Sequence, residues 1–299
     1  FLSVPGISTF FGGLDGFPNF TFGWNSIQLY DDAFWSHGKH TIKFGFAGEN
    51  MRSNNLFHFF DNGRFSFGSL SDFLQNVPQS FSGNIPSTDS PRNVRSTLLA
   101  GYVQDNWKIY ANLTLNVGVR YEMTTVLSEA HGKLASLPTM ESATIHTGAP
   151  YFNNPTLKNF EPRLGFAWFP FGSQKTAVRG GFALFDVLPM PYEFLILSSA
   201  SAPYLRSVVT VNPPMGSFPD KAYALGLSQQ VPGTLAGQRT AYVDPHPKRS
   251  YVAEWNLSVQ QAFPGSFVST ISYIGSRGSH LPYRTDDAHL LLPTSQANG

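Results

Sequence analysis

The segment Asn112 to Glu122, NLTLNVGVRYE, constrains the fold more tightly than any other stretch of the chain. Its odd positions read Leu113, Leu115, Val117, Val119 and Tyr121, and its even positions Thr114, Asn116, Gly118, Arg120 and Glu122. Successive side chains of a strand point to opposite faces, so this alternation describes a strand with one apolar and one polar face. Its length is about what a tilted strand needs to cross a bilayer.

The pattern recurs. His40 to Arg52 sets Ile42, Phe44 and Phe46 against Lys43, Gly45, Ala47 and Glu49. Glu161 to Pro170 sets Leu164, Phe166 and Trp168 against Arg163, Gly165 and Ala167. Lys175 to Asp186 sets Val178, Phe182 and Leu184 against Arg179, Gly181 and Ala183. Ser250 to Gln261 places Trp255, Leu257 and Val259 opposite Glu254, Asn256, Ser258 and Gln260, and Phe267 to Gly275 places Phe267, Ile271 and Tyr273 opposite Val268, Thr270 and Ser272. Ser26 to Ser36 and Ser96 to Ile109 complete a set of eight expected strands.

The connections alternate in length. Short ones carry turn residues: His37-Gly38-Lys39, Tyr110-Ala111, Phe171-Gly172-Ser173-Gln174 and Phe263-Pro264-Gly265-Ser266. Long ones span 53–95, 124–160 and 187–248 and are rich in Pro, Gly, Ser and Asn. Unstructured loops beyond about 12–15 residues are uncommon in soluble domains, whereas short periplasmic turns facing long extracellular loops are the rule in outer-membrane barrels. Alternation alone fits a β-sandwich equally well. The loop asymmetry favours an all-β, antiparallel up-and-down transmembrane barrel with long extracellular loops. Aromatics near strand ends (Trp35, Trp107, Tyr110, Tyr121, Trp168, Phe169, Trp255, Tyr273) match the girdles of such barrels. One helix is expected over Ser69 to Val77, capped by Ser69 or Ser71 and stopped by Pro78.

Composition narrows the function. Only 13% of the 299 residues are charged, about half the usual share, yet mean hydropathy is −0.14. With 27 Phe, 12 Tyr and 5 Trp the chain is far too aromatic to be disordered. A net charge of +1 with no basic block excludes a nucleic-acid footprint. The lack of Cys excludes thiolate metal sites and thiol catalysis. Eight histidines (His37, His40, His58, His131, His146, His246, His280, His289) are scattered, and no motif for a zinc site, a nucleophile elbow or a phosphate loop occurs. Gly180-Gly181 lies inside a strand, where small residues or a bulge explain it. No catalytic residue, metal or cofactor is expected. The first residues show neither Met nor a charged leader, so the chain reads as an internal piece of a longer protein.

Several phrases together carry a family resemblance: GKHTIKFG (Gly38 to Gly45), GYVQDNWKI with NLTLNVGVRYE (Gly101 to Glu122), NFEPRLGFAW (Asn159 to Trp168), AVRGGFALFDV (Ala177 to Val187), and EWNLSVQQAF with VSTISYIGSRGSHL (Glu254 to Leu281). In this order, over about residues 26 to 281, they resemble the barrel of Oar-like TonB-dependent outer-membrane transporters. The resemblance implies a plug domain inside a barrel of about 22 strands, with outer-membrane lipid, the plug, the TonB system and an unidentified solute as partners. Residues 1–299 would form part of the barrel, about eight strands of it, with the plug and the C-terminal strands absent; the chain ends LPTSQANG, without a terminal aromatic.

Lys43, Glu49, Arg120, Glu122, Arg163 and Arg179 all fall opposite the apolar stripe. In a barrel they face the lumen, because a lipid-facing Arg costs about 2–4 kcal/mol at the bilayer midplane. Two roles fit them: contact with a plug or solute, or an Arg–Glu ladder that stiffens the wall. In the longest loop, Tyr192, Phe194, Tyr204, Arg206, Tyr223 and Tyr242 suit capture of a sugar or peptide, or packing of the loop on its own aromatics. The expected function is solute uptake by a TonB-dependent transporter. A plug-less porin-like or adhesive barrel and a secreted carbohydrate-binding β-protein are the alternatives.

Overall fold

A computed structural model describes residues 2–7, 19–58, 63–85, 91–172, 175–194, 197, 199–230, 234 and 238–284. The expected turn residues Ser173 and Gln174, His289 and the C-terminal LPTSQANG lie outside the described residues. In chain order the elements are β1 (Leu2–Ser3), β2 (Asn19–His37), β3 (His40–His58), β4 (Arg64–Phe67), α1 (Leu70–Leu74), β5 (Pro78–Asn84), β6 (Arg92–Tyr110) and β7 (Leu113–Thr124). There follow β8 (Ser128–Glu129), β9 (Ala135–Ser136), β10 (His146–Thr147), β11 (Phe160–Trp168), β12 (Thr176–Asp186) and a 3-10 turn at Pro191–Phe194. The last are β13 (Ser207–Val211), α2 (Lys221–Ser228), β14 (Tyr251–Ala262) and β15 (Val268–Ser279).

Eight long strands form one antiparallel meander in the order β15-β14-β12-β11-β7-β6-β3-β2. All eight correspond to the strands expected from alternation. The sheet is open: among the described residues β2 and β15 each have one long-strand neighbour, as in an incomplete barrel. Tight connections join the strands at one end and long ones at the other. At the tight end Gly38 adopts φ 58 between His37 and His40, the left-handed conformation that a two-residue hairpin turn requires and that glycine tolerates.

Register carries the alternation across the sheet. On one face Val103, Val119 and Pro162 align, as do Val117, Leu164 and Phe182 and Leu257 with Tyr273. Large apolar side chains on this face stay exposed, among them Leu29 68%, Phe44 48%, Leu164 53% and Ile271 76%. Among the described residues no protein layer covers the band, which in water would be an aggregation surface. Aromatic rings also roof two of its glycines. Trp255 lies over Gly275, where a Cβ would sit 2.6 Å from the indole, and Phe166 lies over Gly180 at the same distance. Trp255 and Tyr273 therefore lie within their strands rather than in a girdle. Trp35, Trp107, Tyr110 and Trp168 do gather at the tight-turn end, where His37 stacks on Trp35 and His40 on Trp107.

The long connections are folded. β1, β4, β5 and β13 make a second sheet drawn from the N-terminal segment and two different connections. Its core is Val4, Phe65, Phe67, Phe81, Val208 and Ala222, with ring centroids 4.6 Å apart for Phe65–Phe81 and 5.1 Å for Phe67–Phe73. α2 packs on β13 closely enough that a Cβ on Gly226 would lie 2.7 Å from Thr210 Oγ1. α1 has the expected cap: the Asp72 N–H donates to Ser69 Oγ at 3.1 Å while the Ser69 hydroxyl donates back to Asp72 Oδ2 at 2.7 Å. It ends at Leu74, short of Val77, and Asn76 turns the chain with φ 54. A second cluster, Leu134, Tyr151 and Phe152 with Phe194 and Val243, ties the 125–159 connection to the 187–250 connection. Together these parts make a cap at the long-loop end of the wall.

Candidate functional site: the polar face and its cap

All six expected lumen residues lie on the face opposite the apolar band, set there by the register of β3, β7, β11 and β12. They do not form one cluster. Glu49 accepts a hydrogen bond from the Ser26 hydroxyl at 2.6 Å. Lys43 lies opposite Gln104 and Phe34, and among the described residues it is paired with no carboxylate. Arg120 pairs with Glu122 two residues along the same strand. Arg163 Nη2 donates to Glu161 Oε2 at 2.9 Å, and its guanidinium lies 5.1 Å from the Phe185 ring centroid. Arg179 Nη1 donates to Gln260 Oε1 at 2.8 Å.

Glu161 stands opposite Arg120, so Arg120, Glu122, Glu161 and Arg163 form one patch on adjoining strands. Each Arg of this patch has a carboxylate partner within the wall, while Arg163 Nε is buried without a hydrogen-bond partner among the described residues. Beside the patch Arg249 grips Asp186 with a two-pronged fork, Nε to Oδ1 at 2.7 Å and Nη2 to Oδ2 at 2.9 Å. The same Nη2 also donates to Phe160 O at 2.8 Å. Glu161 links the two systems by accepting the Asp186 N–H at 3.0 Å. This fork escapes sequence reasoning, since its members are 63 residues apart and Arg249 lies outside any alternating run. Bidentate geometry of this kind fixes position as well as charge.

Toward the tight-turn end the polar face is lined by small and amide-bearing residues. Gly165 and Gly181 are register partners, flanked by Asn116 and Asn256 in the same cross-strand row. Together with Gln104, Arg163 and Glu254 they line a shallow depression.

Toward the long-loop end the cap covers this same face. Inward positions of β3 and β6 are buried (Met51, Ser53, Asn55, Arg92, Val94 and Ser96) while the alternate positions are not. The Pro191–Phe194 turn lies against β3 and β6, and the Arg92 guanidinium sits 4.9 Å from the Tyr204 ring centroid. On β7, Thr124 is buried, and its carbonyl accepts from Asn154 Nδ2 at 2.8 Å and from the Thr156 hydroxyl at 3.1 Å.

The loop aromatics divide accordingly. Phe194 packs on Phe152 with centroids 5.4 Å apart, Tyr223 on Phe81 at 6.2 Å, and Tyr204 donates its hydroxyl to Gly132 O at 3.3 Å. Tyr242 bridges Leu137, and Arg206 bonds Gln230. Tyr192 is exposed, at 62%. The loop's aromatics thus pack mainly on the neighbouring connections and on the wall.

One carboxylate organises the cap edge. Glu129 accepts the backbone N–H groups of Asn93, His131 and Lys133, each at 2.8 Å, with its side chain fully enclosed. Burial by itself raises its pKa; the three donors outweigh burial and hold the carboxyl below the usual range. Burial also pushes the Tyr151 hydroxyl up to about 12 and raises the Glu193 carboxyl. Among the described residues no group of three His, Asp or Glu is placed to hold a metal ion.

The exposed apolar band, the polar opposite face and the one-ended distribution of loops define the wall of a membrane barrel. The chain matches a family model described as "Outer membrane beta barrel domain" over residues 2–298, and it belongs to that family; the outer membrane is its location. No curated protein sequence matches the chain. Solved structures similar to it include the outer membrane transporter YddB from Escherichia coli, at 12% identity and TM-score 0.48, covering 85% of this chain and 26% of that one. Others are the alcaligin outer-membrane receptor FauA from Bordetella pertussis, at 10% identity and TM-score 0.33 over 89% and 41% of the two chains, and the FpvAI–pyocin S2 complex, at 10% and 0.36 over 86% and 32%. The chain thus spans roughly a quarter to two fifths of these proteins.

Proposed function

We propose that the chain is part of the barrel of a TonB-dependent outer-membrane transporter of the Oar-like type, with the polar face lining the lumen and the cap facing outward. The observation that carries this reading is the combination of an uncovered apolar band on one face with folded loops at one end only. Lipid satisfies the band, and a barrel inserted in one direction needs its bulk on the outer side. The open edges of β2 and β15 are completed by further strands of the same wall, and a plug domain occupies the lumen. Lys43, Glu49, Arg120, Glu122, Arg163 and Arg179 face that lumen, chiefly as wall-stiffening charges.

In this reading the chain contributes wall and loops to transport, and its loops capture an unidentified solute. The test is in vivo photocross-linking of the full-length protein to the TonB C-terminal domain in cells with and without the proton-motive force. A cross-link that depends on energisation supports the transporter. A full-length protein that never contacts TonB points instead to the plug-less porin-like or adhesive barrel.

A further inference from the structure

Loops of a barrel can stand clear of the opening or fold into it, and the burial pattern distinguishes the two. Here the long-loop ends of β3 and β6 are buried only at positions that share the face of Lys43 and Gln104. The loops therefore lie against the polar face, not outside the wall. We propose that the described residues of the 187–250 connection form a constriction that folds into the outer mouth of the lumen and sets the size of solute that can pass. This rests on the reading above that the polar face lines a lumen.

Two anchors hold the segment there. Phe194 inserts among Tyr151 and Phe152, with centroids 6.1 and 5.4 Å away. Tyr204 lies beneath the Arg92 guanidinium on the wall itself. Leading into the first anchor, the chain passes across β3 and β6 at Pro191–Phe194, presenting Tyr192 as an exposed side chain. An aromatic anchor on a neighbouring loop and a cation–π contact to the wall together resist outward swinging. The described residues held at these two points narrow the opening by their own bulk, independently of any plug below them.

Thiol labelling of the full-length protein on intact cells tests this, in a cysteine-free background. Asn256→Cys places a thiol on the exposed polar face below the cap, and Tyr192→Cys places one on the constriction. The probes are a small hydrophilic maleimide and a maleimide carrying a long polyethylene glycol chain. With native anchors, the bulky reagent is expected to label Tyr192→Cys but react far more slowly with Asn256→Cys. Adding Phe194→Ala or Tyr204→Ala should raise that slow rate several-fold, while Tyr192→Cys labelling confirms delivery of each variant to the surface. A bulky-reagent rate at Asn256→Cys that neither substitution changes overturns the constriction. Labelling of Tyr192→Cys in lysed cells only overturns the outward orientation beneath it, and the constriction with it.

Discussion

Glu129 shows how a single side chain orders a long connection. It replaces water with three backbone donors that belong to both β6 and the chain after β8. Glu129→Gln puts a donor where only acceptors fit, and leaving buried polar groups unsatisfied costs about 1–3 kcal/mol. Faster amide hydrogen exchange at Asn93, His131 and Lys133 is the expected readout. The pH dependence follows from the depressed pKa. The folded carboxyl titrates below its unfolded counterpart, near 4.3. The contribution is therefore complete above the unfolded pKa and is lost as pH falls through the folded one. Protection at these amides should hold from neutrality down to about that unfolded value, and fall only in more acid solution. Gly275 makes a second test. Gly275→Val would drive a side chain into the Trp255 ring, and overpacking of this kind costs about 1–3 kcal/mol, to be seen as a lower melting temperature of the detergent-solubilised barrel.

Within an element, the two faces answer oppositely to the same substitution. Val117→Arg on β7 meets lipid and should cost about 2–4 kcal/mol near the midplane, with folded barrel lost from heat-modifiability gels. Asn116→Arg, one residue earlier, points into the polar face and should assemble normally. This alternation is why the long strands were legible: β7 and β11 hold one phase throughout, and β12 and β14 hold it except at their ends. β2 blurs it. Phe20, Phe22, Trp24, Tyr30 and Phe34 fall on the face that elsewhere is polar, so the run from Asn19 to Asn25 alternates out of phase with Ile27 and Leu29, and the strand extends well before Ser26. β3 and β6 likewise run beyond Arg52 and before Ser96, each 19 residues long, because their ends pack under the cap rather than between lipid and lumen. The cap sheet was illegible for another reason. β4, β5 and β13 are short, and β13 pairs with a strand more than 100 residues earlier, so no local period announces it. Similarly the six charges could be assigned a face, but not all their partners: Arg120–Glu122 and Glu161–Arg163 are local, whereas Arg179–Gln260, like the Arg249–Asp186 fork beside them, exists only through tertiary register.

At the scale of the whole molecule, wall and cap are stabilised by different environments. The wall relies on strand pairing and lipid, the cap on an ordinary core. Phe81→Ala opens a cavity in the Phe65–Phe67–Phe81 cluster, at about 3–5 kcal/mol, and should make the connections protease-sensitive while leaving the barrel heat-modifiable. The wall should behave in the reverse way. Kept in water without detergent, residues 1–299 expose the apolar band and two open edges and are expected to aggregate; monodisperse behaviour in buffer would speak for a soluble sandwich. The most direct test of the membrane-wall account is fluorescence of single-cysteine probes from Leu113 to Glu122 in the full-length protein, reconstituted with brominated lipid. The account predicts a period of two, with quenching at Leu115, Val117 and Val119 and water-soluble maleimide reactivity at Asn116, Gly118 and Arg120. Uniform reactivity along the strand, with no quenching at the odd positions, would contradict it.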